Sequence, residues 1–267
     1  MLRHAGREVY DGLKAMSHAT QLKFFDCNCA FGPHRTRVFR FARTASELIE
    51  AMEFGNIAQA LVYHTAMRFD HPVVGNELVV RETRGRSRLL PTWALLPSQT
   101  GEQPPLETLL REMRSHGVRA LRLFPDDHRY FLDEITWGDQ LAVFMERRIP
   151  LIIRASLDRI GVLLSSFPEL VVVTGSQGAN PLDRYAWPLI ERYPNLHFET
   201  SGYLVDGGIE EFCRRYSAER LMFGSGFPDN AGGAAMLQLA WADISDAQRQ
   251  AIAWGNLNRL LEAASLP

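Results

Sequence analysis

Short apolar runs alternate with amphipathic stretches along the chain from residue 23 onward. Two of the runs, Pro150–Ile153 and Leu170–Val173, are continuously hydrophobic, which is typical of strands buried on both faces. The pattern predicts eight β-strands. They are Lys23–Ala30, Ile57–His64, Leu89–Leu96, Val118–Phe124, Ile149–Ala155, Glu169–Gly175, Asn195–Ser201 and Glu219–Ser225.

Between these strands the apolar positions recur at helical spacing, and capping or breaking residues mark the ends of several helices. The predicted helices are Ala45–Gly55, one that follows Pro104–Pro105 and stops before Gly117, one capped by Thr136, one that begins at Asn180–Pro181 and is interrupted at Pro188, Gly208–Tyr216, and a C-terminal helix that begins with a capping box of Ser245 and Gln248.

Strands that alternate with helices imply parallel βαβ units, so the predicted fold class is α/β. Eight units in a chain of 267 residues fit a single closed (β/α)8 TIM barrel better than an open doubly wound sheet, which is the alternative. No Gly-x-Gly-x-x-Gly motif follows the first predicted strand, as a dinucleotide-binding open sheet would require. We therefore predict a barrel domain over residues 21–267, preceded by an N-terminal extension at residues 1–20.

Composition narrows the classes of partner. The chain is 46% hydrophobic and 22% charged, with a formal net charge of -2, which is too small to attract nucleic acid or an anionic membrane surface. No apolar run reaches the ~18 residues of a membrane span, the first residues lack a signal-peptide core, and three cysteines do not make a disulfide framework. We expect a cytoplasmic protein that binds neither nucleic acid nor membrane. The composition leaves open whether it forms a homo-oligomer.

Several segments, taken in order, resemble one family. Phe25–Gly32 resembles the opening Asp-x-His-x-His-x-Gly strand of the amidohydrolase-2 group of barrels, whose members include decarboxylases and lactonases of carboxylated rings. The segments similar to later parts of that group are Phe167–Gly178 for its sixth strand, Pro194–Ser201 for its seventh, Leu221–Pro228 for its eighth and Trp254–Leu261 for its closing helix. The resemblance implies an amidohydrolase-like TIM barrel.

The same resemblance implies five metal-ligand positions at the ends of four strands, and this chain has other residues at all of them. They are Asn28, Ala30, Arg154, Ser176 and Gly226, where the family has four histidines and an aspartate. Alanine and glycine have no side-chain ligand, arginine is permanently charged, and asparagine and serine are poor ligands for a transition metal. We therefore expect no metal at this position and no other cofactor.

Two arginines are candidates to bind an anionic substrate. Arg154 follows the apolar residues of the fifth strand, so it should lie at the carboxyl end, where barrel active sites form. Its guanidinium would fill the metal position and bind a carboxylate or phosphate, and the alternative is a structural ion pair with Glu199. Arg122 on the fourth strand is the second candidate, with a barrel-wall ion pair as its alternative. Asn28 and Ser176 complete the predicted substrate-binding group.

Three residues are candidates for proton transfer: His34 after the first strand, His64 at the end of the second and Glu199 at the end of the seventh. The alternative for each histidine is an ordinary polar surface residue. The segments Asp126–His128 and Asp229–Asn230 also follow strands toward the same end, although solvated loops are the favoured interpretation of both. Cys27 and Cys29 lack a second ligand pair, so buried small side chains are the better interpretation than a metal site.

Three functions remain compatible with these residues. The first is a metal-independent hydrolase or lyase that acts on a small anionic molecule bound by Arg154 and Arg122. The second is a ligand-binding or scaffolding relative without catalysis, and the third is a metal enzyme with a rearranged site, for example His34, His64 and a carboxylate.

Overall fold

The computed structural model of the chain describes residues 22–35, 38, 40–175, 182–203, 205–230 and 232–267. Three predictions fall outside these ranges: the N-terminal extension at residues 1–20, the substrate-binding residue Ser176 and the helix start at Asn180–Pro181.

All eight predicted strands are present, and the third is divided in two at Thr92. The strands are β1 (Phe24–Phe31), β2 (Ile57–His64), β3 (Leu89–Pro91), β4 (Trp93–Ala94), β5 (Leu121–Leu123), β6 (Leu151–Ile153), β7 (Val172–Thr174), β8 (Leu196–Glu199) and β9 (Leu221–Met222). Each neighbouring pair is parallel, in the orders β1-β2-β3 and β4-β5-β6-β7-β8-β9.

The two sheets join into a closed barrel. Thr92 connects β3 to β4 directly, and its backbone N–H donates to the Val62 carbonyl at 2.9 Å. On the other side, the chain that follows β9 runs beside β1, where the Cys27 N–H donates to Phe223 at 3.0 Å and the Gly226 N–H to Asn28 at 2.9 Å. The prediction of a single α/β TIM barrel is confirmed.

Helices surround the barrel between the strands. They are α1 (Ala45–Phe54), α2 (Ala66–Phe69), α3 (Pro72–Thr83), α4 (Leu106–His116), α5 (Pro125–His128), α6 (Glu134–Glu146), α7 (Leu157–Ser166), α8 (Leu182–Arg192), α9 (Gly208–Tyr216), α10 (Gly232–Trp241), α11 (Asp246–Gln250) and α12 (Asn256–Ala263). None of the helices described combines the length and the apolar character needed to cross a membrane.

The helix ends test the capping predictions. Thr44 caps α1 by accepting the Glu47 N–H, and Ser245 forms the predicted capping box with Gln248. The predicted cap Thr136 is wrong, because α6 begins earlier and its cap is Asp133, whose carboxylate accepts the Thr136 N–H. A π-helical turn at Ala251–Gly255 divides the predicted C-terminal helix into α11 and α12.

Side chains fill the barrel in two shells. The interior is packed by alternate strand residues such as Phe25, Leu61 and Val173, and α12 closes the amino-terminal end with Leu257 and Leu260. The residues between them on the same strands face outward and pack against the helices. The carboxyl ends of the strands therefore form the end of the barrel at which polar side chains gather.

An irregularity in β1 changes this alternation at one point. Asp26 pairs with Ala60 and Cys29 pairs with Val62, so three steps along β1 match two steps along β2. This one-residue β-bulge lets the neighbours Cys27 and Asn28 both face the barrel interior, which strict alternation would forbid.

Candidate active site

A buried arginine lies at the centre of the barrel near its carboxyl end. Arg122 on β5 is 2% exposed, and its Nε donates to the Thr92 hydroxyl at 2.9 Å. Its Nη2 donates to the carbonyls of Cys27 at 3.0 Å and Leu61 at 3.3 Å. The guanidinium also stacks on the Tyr63 ring, 4.5 Å from its centroid. All of these partners are neutral, so the described residues give Arg122 no direct ion pair of the kind that the alternative prediction required.

Asn28 links this arginine to a buried carboxylate. The amide oxygen of Asn28 accepts from Arg122 Nη1 at 3.2 Å, and its amide nitrogen donates to Glu199 Oε1 at 3.1 Å. We call Arg122, Asn28 and Glu199 the buried amide bridge. It brings together three residues that the sequence analysis selected separately.

Glu199 fits into the interior because its neighbours on both sides are glycines. A Cβ built on Gly175 would lie 1.9 Å from Glu199 Oε1, and one built on Gly224 would lie 2.0 Å from Oε2. Ser201 supplies two further hydrogen bonds, from its N–H to Oε2 and from its hydroxyl to Oε1, both at 2.6 Å. Glu199 is thus 2% exposed and fully engaged.

Burial moves the protonation equilibria of this interior. It raises the pKa of the Glu199 carboxyl, an effect that the hydrogen bonds from Ser201 and Asn28 oppose. Burial likewise raises the pKa of Asp26 and lowers that of Arg122. The pKa of Tyr63 is raised by burial, and nearby arginines, first Arg122 and then Arg68, oppose that shift.

A second group of charged side chains lies above this layer, at the mouth of the barrel. Asp229 accepts from His34 Nε2 at 3.0 Å and from Arg68 Nη1 at 3.3 Å, and its Oδ2 lies 3.6 Å from Arg154 Nη1. Arg68 Nε also donates to Asp127 at 2.6 Å. We call these five residues the rim cluster. They come from the segments after β1, β2, β5, β6 and β9, which meet only because the barrel closes.

The structure changes the expected partner of Arg154. The carboxylate nearest its guanidinium is Asp229 in the rim cluster and not Glu199, which the buried amide bridge holds below. The Arg154 side chain remains 44% exposed. It is Arg122 that contacts Asn28, the first of the family's ligand positions.

His64 does not join either group. Strand alternation turns its side chain outward, where the ring accepts the Ala66 N–H at 3.1 Å and packs edge-on against Phe31. Burial lowers the pKa of His64. Of the three predicted proton-transfer residues, the structure therefore places His34 at the mouth, Glu199 in the interior and His64 between the barrel and its helices.

Four of the family's five ligand positions lie in the described part of the chain, and their side chains are engaged in other contacts or carry no polar atom. Both polar atoms of Asn28 are engaged, and Ala30 has none. Gly226 adopts a left-handed backbone with φ of 64°, and a Cβ there would lie 2.7 Å from Asn230 Nδ2 and 2.8 Å from Ser201 Cβ. An aspartate would therefore be strained and crowded. The described residues also include no group of three or more His, Cys, Asp or Glu side chains placed to hold an ion.

Sequence reasoning missed two residues at this end of the barrel. Tyr63 lies on the inward face of β2 near its end, and Arg68 lies on α2, the helix that follows. A signal was available, because Tyr63 has the same parity as the apolar Leu61 and is followed within five residues by an arginine. Asp229, which sequence alone could not separate from a solvated loop residue, is the centre of the rim cluster.

A cavity of about 950 Å³ lies along the outside of the barrel, between α1 and α10, and reaches the rim cluster at Asp229. Asp229 and Asn230 line one part of it. Apolar side chains, including Leu48, Met52 and Met236, line much of the rest. The cavity thus places an ionic group next to a largely apolar wall.

Comparisons with known proteins agree with this architecture. The family model described as Amidohydrolase matches residues 49–262. No curated protein matches the chain.

Solved structures with the same fold include three informative ones. An uncharacterized TIM-barrel protein from Bordetella bronchiseptica is 18% identical with a TM-score of 0.69, covering 91% of this chain and 99% of its own. A 2,6-dihydroxybenzoate decarboxylase complexed with 2,6-dihydroxybenzoate is 15% identical with a TM-score of 0.73, covering 91% and 100%. A dihydroxybenzoic acid decarboxylase from Polaromonas sp. JS666, with bound manganese and the inhibitor 2-nitroresorcinol, is 14% identical with a TM-score of 0.72, covering 91% and 97%.

Proposed function

The chain belongs to the amidohydrolase family, and from that premise we propose that it is a metal-independent hydrolase or lyase that acts on a small carboxylated molecule at the mouth of its barrel. The decarboxylases that share its fold act on carboxylated aromatic rings, which supports this class of substrate. The altered ligand positions support a reaction without a divalent ion.

The observation on which the proposal depends is the state of Arg154. Its guanidinium is at the carboxyl end of β6, is 44% exposed, and makes its ion pair with Asp229 at a distance of 3.6 Å, which is longer than a hydrogen bond. A substrate carboxylate could therefore bind Arg154 through two parallel N–H···O bonds at little cost. The apolar wall of the adjacent cavity would receive the rest of the molecule.

His34 is the proposed proton-transfer residue. Asp229 holds its imidazole through Nε2 at 3.0 Å, and the ring packs edge-on against Phe69 at 5.2 Å. A carboxylate that orients a histidine is a common arrangement in general acid–base catalysis. In hydrolysis His34 would accept a proton from the attacking water and pass it to the leaving group. In decarboxylation a protonated His34 would donate its proton to the carbon atom that loses carbon dioxide, and would regain a proton from solvent afterwards.

Binding of 2,6-dihydroxybenzoate, measured by calorimetry, tests the role of Arg154. We expect Arg154→Ala to weaken binding by about a hundredfold, because two charge-assisted hydrogen bonds are lost, and to leave the free energy of unfolding nearly unchanged. Arg159→Ala is the matched control, since that guanidinium is already bound by Asp126 and the Tyr130 carbonyl. Equal affinities of Arg154→Ala and the wild type would exclude Arg154 as the anion site.

A second candidate function is ligand binding without catalysis. The observation in its favour is that the carboxylate of Glu199 is buried and accepts three hydrogen bonds, which leaves it poorly placed to exchange protons with a substrate. A panel of lactones and carboxylated rings separates the two functions. Turnover that is lost in His34→Asn supports the enzyme, whereas binding without turnover by any member supports the second candidate.

A further inference from the structure

The interior of the barrel contains a permanent cation that no carboxylate contacts in the described part of the chain. Arg122 directs its hydrogen bonds to a hydroxyl, two backbone carbonyls and one amide oxygen. A buried guanidinium is costly unless its charge is balanced nearby. The balance therefore comes from carboxylates beyond this first layer of neutral groups: Glu199, which the Asn28 amide joins to Arg122, and the buried Asp26, which interacts with Arg122 electrostatically.

Asparagine suits the position between the two charges. Its carbonyl oxygen can only accept and its NH2 can only donate, so the amide has one favourable orientation, with the oxygen toward Arg122 and the nitrogen toward Glu199. In the opposite orientation the NH2 group would face the Arg122 guanidinium, donor against donor. The amide oxygen would face the Glu199 carboxylate, acceptor against acceptor. The amide dipole thus aligns with the field between the cation and the anion.

We propose that Arg122 is a built-in cation that takes the place of a divalent ion in this barrel, and that the Asn28 amide couples it to Glu199. The inference rests on the proposed metal-independent function. It assigns Arg122 and Asn28 as positioning residues. They hold the Glu199 carboxylate, and with it Ser201, in a fixed arrangement beneath the mouth. The cation of this site is therefore covalently part of the chain and cannot be removed by a chelator.

Several other titratable groups face the bridge and must be controlled. Asp26, Cys27 and Cys29 on β1 and Tyr63 on β2 all interact electrostatically with Arg122, and Asp26 also raises the pKa of Glu199. Of these groups, Asp26 is the one whose charge also acts on Glu199. The measurement is therefore repeated in an Asp26→Asn background.

A double-mutant cycle on the free energy of unfolding tests the coupling. The variants are Arg122→Met, Glu199→Gln and the two combined. If the amide bridge joins the charges, the double variant should be more stable than the sum of the single losses predicts, by roughly tenfold in the unfolding equilibrium constant. In Asn28→Ala the same cycle should approach additivity. Additive losses in the presence of Asn28 would overturn the inference.

The pH dependence separates this coupling from ordinary packing. Without Arg122 the folded-state pKa of Glu199 should rise further above that of the unfolded chain. Between these two pKa values the folded protein binds more protons, so the stability of Arg122→Met should decrease as the pH rises from the unfolded-state value to the folded-state value. The double variant should lack this slope. Arg249→Met is the control. The buried Arg249 donates to the carbonyls of Leu239, Ala242 and Ile244, and the Asp246 carboxylate 3.8 Å from its Nε is 81% exposed, so the stability loss of this variant should depend on pH much less than that of Arg122→Met.

If Arg122→Met does not fold, Arg122→Lys gives the same information. Lysine keeps the charge but lacks the planar guanidinium, so we expect Arg122→Lys to fold. Its free energy of unfolding should depend on pH less steeply than that of any neutral variant at this position that folds. Failure of Arg122→Lys to fold, together with folding of a neutral variant, would contradict a role based on charge.

Manganese titration monitored by thermal unfolding tests the proposed metal-independent function separately from the proposed role of Arg122. We expect Mn²⁺ to leave the unfolding temperature of the wild type unchanged. One Mn²⁺ bound per chain, and lost in Asn28→Ala, would overturn the metal-independent function and with it the replacement of the ion. An additive mutant cycle without metal binding would overturn only the role of Arg122.

Discussion

The two charged regions of this barrel use the same kinds of side chain in opposite ways. In the rim cluster, one carboxylate, Asp229, is shared directly by a histidine and two arginines at distances from 3.0 to 3.6 Å. In the buried amide bridge, one arginine and one carboxylate are kept apart by a neutral amide. The first region lies at the mouth, where the side chains of Asp229 and Arg154 are 28% and 44% exposed and those of His34 and Arg68 are largely covered. The charged groups of the second region are buried.

The difference follows from the cost of charge in each environment. At the mouth, solvent screens the charges, so ion pairs form and exchange with small changes in free energy. In the interior, every donor and acceptor needs a fixed partner, and the arrangement is set by geometry. A ligand can therefore compete for partners in the rim cluster, whereas the amide bridge serves as the fixed floor beneath it.

The largest effect should come from filling the space that Glu199 occupies. Gly224→Ala places a Cβ 2.0 Å from Glu199 Oε2, so we expect a loss of about 3 kcal/mol in the free energy of unfolding or failure to fold. Truncation of Glu199 removes the clash, so Gly224→Ala should cost much less in a Glu199→Ala background than in the wild type. Gly138→Ala is the control, since nothing lies within 4 Å of its Cβ in α6, and a gain of roughly 0.5–1 kcal/mol is expected. Equal effects at the two glycines would show that Glu199 is not confined as described.

The second effect is the loss of stability in acid that we expect from the buried His197 on β8. Burial, aided by the charge of Arg220, lowers the pKa of His197 to about 3. Because this histidine is neutral when folded, its contribution to stability is complete above its ordinary pKa and falls as the pH decreases. Between roughly pH 7 and 4.5 the wild type should lose about 2.5 kcal/mol more than His197→Leu, measured by denaturant unfolding. Parallel pH profiles for the two proteins would contradict the assignment.

A smaller effect is expected at the mouth. The Arg68 side chain is 12% exposed and joins Asp127 to Asp229, so Arg68→Ala should lower the free energy of unfolding by about 1–2 kcal/mol, and less in high salt. Arg214→Ala removes an arginine paired with Glu211 on the surface of α9 and should cost under about 0.5 kcal/mol. If both variants lose the same amount, the rim cluster is no more than an ordinary surface network.

The fold could be predicted from the sequence because apolar residues recur along it at strand and helix spacing. Continuous apolar runs such as Leu170–Val173 are buried strands here as predicted, and the order of the elements determined the barrel. The helix cap at Thr136 was wrong because Asp133, three residues earlier, competes for the same role and starts α6 sooner.

The arrangement of the site was less accessible, because it depends on contacts between distant segments. Nothing local distinguishes Arg122 from Arg154, since both follow apolar strand residues with the same parity. Only the packing shows that the first is covered by Tyr63 and the second is exposed. The bulge that turns Asn28 inward is equally invisible, because it is a difference in register between two strands that are distant in sequence.

The closure of the amino-terminal end by α12 has a consequence for how the protein acquires its structure. Trp254 packs against Phe25 at 5.1 Å, and the Asn256 amide donates to the carbonyls of Ala218 and Leu221. Phe25 therefore gains its partner Trp254 only after all the intervening strands have been synthesised. Until α12 is made, the apolar floor of the barrel stays uncovered, which favours aggregation of the nascent chain.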